Sequence, residues 1–220
     1  MLPSYEKNFT MTICGKRRSG KSWFCRRLLQ SKYNCVFDRT YFITNADTTV
    51  DKEWDNYLFN ERINSYDNDK LRELYDDWCK YAKNEEEVGN ERHCLFILED
   101  CAQVMRNTKQ KECVITDIFL NGRHQNVSVI LLVQNIKIGM SQVLRNNTEC
   151  LITFAIGNNN EMKIVAEEFF GDTPGQFKIF NDKMKKNRYS FTIVQCVFPF
   201  KRQIFDANYK PISVDFPTTI

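Results

Sequence analysis

Short apolar runs alternate along this chain with stretches whose apolar residues recur at helical spacing. Phe9 to Cys14 (FTMTIC) is apolar and β-branched and ends at Gly15, which predicts a first strand. Ser22 to Ser31 (SWFCRRLLQS) follows, with Trp23, Leu28 and Leu29 at helical spacing. Tyr41 to Thr44 predicts a second strand, and Cys94 to Leu98 (CLFIL) and Val127 to Val133 (VSVILLV) are continuous apolar runs of buried-strand type. Helices are predicted near Asp69 to Lys83, over 111–120, and from Asn159 to Phe170, the last stopped by Gly171. Leu151 to Ile156 predicts a further strand, and Ser190 to Val197 with Arg202 to Asp206 predict a closing hairpin around Pro199. Strands alternating with helices give an α/β fold, a mainly parallel sheet with helices on both faces and a C-terminal β-hairpin.

At 220 residues the chain can bury one sizeable core, and no repeat or Pro/Gly-rich linker divides it. The expectation is a single domain over 1–220, with a core of about 8–160, an acidic surface insertion at about 47–91 and a C-terminal extension at about 160–220. No apolar run approaches the length of a bilayer span, and residues 1–9 lack a cationic-then-apolar leader pattern, so the sequence reads as soluble and not secreted. Nine cysteines occur without a C-x-x-C pair, and His93 and His124 are the only histidines; that pattern suits thiols in a reducing compartment better than zinc or a disulfide framework. Charge is uneven. Residues 1–40 hold nine Lys/Arg against two acids, and 41–162 hold thirteen against twenty. The basic ends could meet phosphate, of a nucleotide or of a nucleic acid, or simply be solvated.

The strongest chemical signal is Gly15-Lys16-Arg17-Arg18-Ser19-Gly20-Lys21-Ser22, a match to G-x-x-x-x-G-K-[ST] between a predicted strand and a predicted helix. Such a loop needs glycines so that backbone N–H groups can wrap a phosphate, and the helix that follows presents its positive end. Lys21 would neutralise β/γ oxygens of ATP, and the Ser22 hydroxyl would ligate Mg²⁺. Gly15, Ser19, Gly20, Lys21, Ser22 and Trp23 are therefore the candidate nucleotide-binding residues. Lys16, Arg17 and Arg18 are read as solvent-facing.

CLFIL followed by Glu99-Asp100 resembles a Walker B strand delivering two acids to the phosphate site. In the usual sense the first acid holds the metal, here Glu99, and the second polarises the attacking water, here Asp100. The usual order is Asp then Glu, so this pair is inverted, and either acid can take either task. The next strand ends in Gln134, whose amide can hydrogen-bond a γ-phosphate or the attacking water.

Asn121 to Asn135 (NGRHQNVSVILLVQN) resembles the FtsK–HerA superfamily of DNA-pumping ATPases, in which an arginine precedes the fourth core strand and that strand ends in glutamine. Arg123 and Gln134 occupy those positions, and Arg145-Asn146 resembles a further basic element. Compact size and the run Gly122-Arg123-His124 look most like the DNA-packaging ATPases of nucleocytoplasmic large DNA viruses, the poxvirus-type branch; the resemblance covers roughly residues 8–160. It implies a RecA-like P-loop NTPase core and an ATPase motor that forms a homo-oligomeric ring and drives double-stranded DNA into a capsid. It also implies capsid or portal-vertex partners, no membrane, and a place in the host cytoplasm (viral factory) or virion. It further implies that Arg123, with Arg145 second, acts as a finger on a neighbour's ATP. No nuclease-like carboxylate cluster follows the core, and the LSGGQ signature is absent. Two other readings stay open: a nucleoside or nucleotide kinase, with the basic run Lys183 to Arg188 as a lid, and a nucleotide-gated adaptor without catalysis.

Overall fold

The computed structural model describes residues 2–4, 8–45, 54, 57, 59–101, 113–171, 174–197 and 200–214. In chain order these form β1 (Thr10–Cys14), α1 (Lys21–Ser31), β2 (Arg39–Thr44), β3 (Glu61–Ile63), α2 (Asn68–Glu87), β4 (Cys94–Glu99) and α3 (Val114–Asn121). A 3₁₀ turn (Gly122–Gln125) leads into β5 (Val127–Val133), followed by α4 (Ile136–Gly139), α5 (Gln142–Asn146) and β6 (Cys150–Phe154). Then come α6 (Asn159–Phe169), α7 (Pro174–Lys186), β7 (Phe191–Gln195), β8 (Lys201–Phe205) and β9 (Pro211–Ile212).

The strands share one sheet in the order β3-β2-β4-β5-β1-β6-β7-β8-β9. The first six in that order pair in parallel and the last three antiparallel. Every residue of β4 and β5 is buried. Layers cover both faces of a parallel sheet, which is why these strands read as unbroken apolar runs and not as alternation. On one face α1 packs Phe24, Cys25, Leu28 and Leu29 against Met11, Ile13, Ile130, Leu132 and Ile152. On the other, α2 to α7 cover Leu98, Val129, Leu131, Val133 and Leu151. Each such buried side chain contributes about 1.5–3 kcal/mol, so strand order and register are held from two sides.

The acidic stretch expected as a surface insertion is more than surface. Within it β3 extends the parallel sheet beside β2, and Trp54 is 2% exposed. Helix α2 buries Leu71, Leu74, Tyr75, Trp78 and Ala82. Those five positions fall on one helical face, while the acids that dominate the composition occupy the other. The Asp67 side chain caps α2, accepting from the backbone N–H groups of Asp69 at 2.9 Å and Lys70 at 3.3 Å. Residues 47–53, 55, 56 and 58 of that stretch lie outside the described residues, as do 111–112 of the helix expected over 111–120 and the Pro199 turn. The C-terminal hairpin is present as β7–β8, extended by β9. Helix α7 was not expected. Among the described residues, no helix is long and apolar enough to cross a membrane.

Candidate active site

Strands β4, β5 and β1 lie side by side in parallel, so Glu99-Asp100, Gln134 and Gly15 emerge at one edge of the sheet. The carboxyl edge of a parallel sheet is where ligands bind in such folds. Gly15 begins the loop after β1. A Cβ there would sit 2.5 Å from Ser19 Oγ and 3.0 Å from Phe154 Cβ, so the close approach requires glycine. Gly20 caps α1 with φ 99°, a conformation natural only to glycine. No side chain caps α1 and no acid occupies its first turn, so its N–H groups and its positive end face outward for an anion. Lys21 is 9% exposed and its ammonium donates back to the Lys16 carbonyl at 3.3 Å, which lays it across the loop. Ser19 Oγ is buried without a hydrogen-bond partner among the described residues. A bare helix end, a folded-back lysine and an orphan hydroxyl form a cradle that fits a phosphate chain.

The acids face different partners. Glu99, 5% exposed, accepts from the Ser22 hydroxyl through Oε1 at 2.6 Å and from the Trp54 indole N–H through Oε2 at 2.9 Å. Asp100 follows with φ 52°, a left-handed turn that costs an ordinary L residue about 1–2 kcal/mol and that aspartate tolerates better than most. Its carboxylate has a partner of its own: Gln134 Nε2 donates to Asp100 Oδ1 at 3.0 Å. The order β4–β5–β1 places the Gln134 tip between the acids and the loop. Ser22 and Glu99 supply the hydroxyl and carboxylate that suit Mg²⁺, which takes few protein oxygens and completes its shell from phosphate and water.

One supporting residue was not anticipated. Glu161, near the start of α6 and 7% exposed, accepts from the Ile136 N–H at 2.7 Å and the Asn135 side chain at 3.0 Å. Burial pushes its carboxyl above the usual range, and the Ile136 N–H partly offsets this. It braces the turn just after Gln134. In sequence, Asn158-x-x-Glu161 reads as a capping pair; Asn158 does cap α6, but the glutamate reaches across to another element.

Two pockets adjoin the loop. One, of about 640 Å³, is lined by Trp23, Arg27, Phe154, Tyr189, Phe191 and Asn208 beside Gly20. The Arg27 guanidinium lies 5.2 Å from the Trp23 ring centre and 4.9 Å from that of Tyr209. The other, of about 470 Å³, gathers Lys16, Arg17, Arg18, Lys185, Lys186 and Arg188, with no acid among the described residues that line it. Lys16, Arg17 and Arg18 are exposed, as read from the sequence, yet they form one surface with the end of α7. In the run Lys183 to Arg188, residues 183–186 are the last turn of α7.

Arg123 is not at this edge. It lies in the 3₁₀ turn before β5, exposed to solvent, whereas Gln134 follows β5. The seven residues of β5 span about 23 Å, so Arg123 cannot reach its own chain's phosphate loop. Arg145 shares a pocket of about 370 Å³ with Arg123, but its guanidinium is engaged: Nε and Nη2 donate to Glu168 at 2.6 and 3.1 Å, and Nη1 to the Met140 carbonyl at 2.8 Å.

Residues 4–207 match the model of a family described as Poxvirus A32 protein. No individual curated protein matches the sequence. The structure of the genome packaging NTPase B204 from Sulfolobus turreted icosahedral virus 2, in complex with AMP, superposes with a TM-score of 0.65 at 14% identity, covering 94% of this chain and 98% of that one. B204, the DNA-packaging ATPase from Sulfolobus turreted icosahedral virus, gives 0.63 at 17% identity, with 94% and 99% covered. EssC (ATPases 2 and 3) from Geobacillus thermodenitrificans gives 0.56 at 16% identity, with 70% of this chain and 33% of that chain covered. At these identities the likeness is one of fold.

Proposed function

From the premise that this chain belongs to the Poxvirus A32 protein family, we propose that it is an ATP-hydrolysing motor that moves double-stranded DNA and packages a viral genome into its capsid. The observation that carries this reading is the contact of Ser22 Oγ with Glu99 at 2.6 Å. It ties the phosphate loop to the acid strand across an intervening strand, which a folded-up turn of glycines and bases would not require. In this reading Lys21 and the first turn of α1 hold the phosphate chain, and Ser19 Oγ donates to it. The aromatic pocket with Trp23 takes the base. Ser22 and Glu99 hold Mg²⁺, which when bound spreads the negative charge of the β/γ oxygens. Asp100, steadied by Gln134, takes the proton of the attacking water, and Gln134 senses whether the terminal phosphate is present.

The split of roles is testable. Asp100→Asn is expected to keep Mg²⁺-dependent nucleotide affinity within about threefold while turnover falls about 10²–10⁴-fold, the size of a general-base contribution. Glu99→Gln is expected to raise the Mg²⁺ needed for half-maximal activity about 10–100-fold. Nucleotide binding and steady-state hydrolysis across a Mg²⁺ titration check both. The reverse pattern would exchange the two roles, and equal, negligible effects would remove the acid pair from the site.

DNA binding is supported by the basic pocket, where six cations gather with no acid among the described lining residues. Duplex affinity should be largely sequence-independent and fall steeply with salt, since phosphates release counterions when neutralised. Lys185→Ala with Lys186→Ala is expected to weaken every duplex alike and to lower the salt slope by about 0.9 for each phosphate no longer neutralised, with ATP affinity unchanged. Fluorescence anisotropy at several salt concentrations measures it; a duplex affinity that barely responds to salt would overturn the DNA reading. The motor is further proposed to work as a homo-oligomeric ring, with capsid or portal-vertex proteins as neighbours, in the infected cell's cytoplasm or in the virion. Arg123 is proposed as the residue acting across subunits. Exposure at the far edge of the sheet leaves it available to a neighbour, whereas Arg145 is already held by Glu168.

A further inference from the structure

Trp54 is buried in a shelf of aromatic rings, 4.7 Å from Phe42 and 5.7 Å from Phe59 between ring centres. A buried indole N–H needs an acceptor, and Trp78 shows the ordinary solution, donating to the Gln125 backbone carbonyl at 2.8 Å. Trp54 instead donates to Glu99 Oε2, with Ser22 on Oε1. Each carboxylate oxygen is thus held by a different element, one by the phosphate loop and one by the segment between β2 and β3. With both oxygens anchored, the carboxylate plane is fixed. A carboxylate offers about four lone-pair directions, and donors on both oxygens fix the way it faces.

Building on the proposed ATPase site, we propose that Trp54 is a positioning residue for metal binding: its indole N–H orients Glu99 so that Ser22 and Glu99 present one preformed Mg²⁺ site. A role limited to core packing would need the rings but not the N–H. The prediction therefore separates the two, because phenylalanine keeps a ring on the shelf and removes the donor with only part of the ring volume, whereas Phe59→Leu loosens the shelf and keeps the donor. Orienting partners of metal-site side chains typically affect metal affinity by about 10–100-fold.

The experiment measures ATPγS affinity of the full chain at increasing MgCl₂ by calorimetry, with intrinsic tryptophan emission followed in parallel. Trp54→Phe is expected to raise the Mg²⁺ midpoint about tenfold, leave affinity without Mg²⁺ unchanged, and abolish the Mg²⁺-dependent part of the emission change. Phe59→Leu is expected to shift the midpoint less than about threefold, clear of the indole effect. A Trp54→Phe midpoint within twofold of wild type, or a Phe59→Leu shift as large as that of Trp54→Phe, would overturn the inference while leaving the ATPase site intact. Wild-type protein whose ATPγS affinity ignores Mg²⁺ would overturn the site and the inference together. If Trp54→Phe does not fold, ¹⁵N spectra of the wild type decide. The indole N–H resonance that both Trp23→Phe and Trp78→Phe leave in place must move when MgCl₂ is added to the ATPγS complex, and its staying still counts against Trp54.

Discussion

Lys21→Ala is expected to abolish hydrolysis, with turnover reduced at least about 10²–10³-fold, the cost of removing one preorganised donor from a developing charge. ATP binding should weaken as well. Lys21 is nearly buried and folds over the loop toward the Lys16 carbonyl, so its ammonium meets phosphate in a site that water only partly screens. Two charge-assisted hydrogen bonds at about 1.5 kcal/mol each amount to about 3 kcal/mol, or roughly a 100-fold loss in affinity. Calorimetric ATP titration and a phosphate-release assay check it, with a melting curve to confirm that the variant folds. Unchanged affinity and turnover would remove the basis of the nucleotide reading, because no other lysine lies within the first turn of α1.

Arg123→Ala is expected to leave ATP affinity and folding intact while lowering turnover about 10³–10⁵-fold in assembled protein, the range seen for arginine fingers. The geometry supplies the reason for the split. Arg123 precedes β5 and the phosphate loop lies beyond its other end, a strand length away, so its charge cannot reach its own chain's nucleotide and the proposed role requires a neighbour's. Wild-type turnover per subunit should accordingly rise with protein concentration as rings assemble, and Arg123→Ala should flatten that rise. Mixing Arg123→Ala with Lys21→Ala subunits provides the control. Some interfaces then join an intact loop to an intact arginine, and part of the activity returns. No recovery in mixtures whose assembly is confirmed counts against action in trans. A loss on Arg145→Ala that the same mixing rescues would move the finger there, which would require Arg145 to leave Glu168 on assembly.

The phosphate loop was legible because it is a local object. Gly15 to Ser22 is one contiguous stretch in which glycines permit the turn, Lys21 opens the helix and apolar runs flank both sides, so backbone preference and periodicity are enough to place it. The runs that became β1, β4, β5 and β6 were legible for the same reason: strands buried on both faces carry continuous apolar sequence. Helix α2 was legible near Asp69 to Lys83, but strand β3 was not, and a composition dominated by exposed acids masks how deeply Leu71, Leu74, Tyr75 and Trp78 are buried. The pairings inside the site are another matter. Ser22 meets Glu99 across 77 residues, Trp54 meets Glu99 across 45, Gln134 meets Asp100 across 34 and Ile136 meets Glu161 across 25. The sequence by itself determined which residue types could serve ATP chemistry and where the loop stood. Which acid faces the loop, that Trp54 meets Glu99 and Glu161 the turn after Gln134, and that Arg123 stands at the far edge were decided only by the order β4–β5–β1, because strand neighbours are chosen by the packing of two layers against the whole sheet and no contiguous stretch of residues encodes that choice.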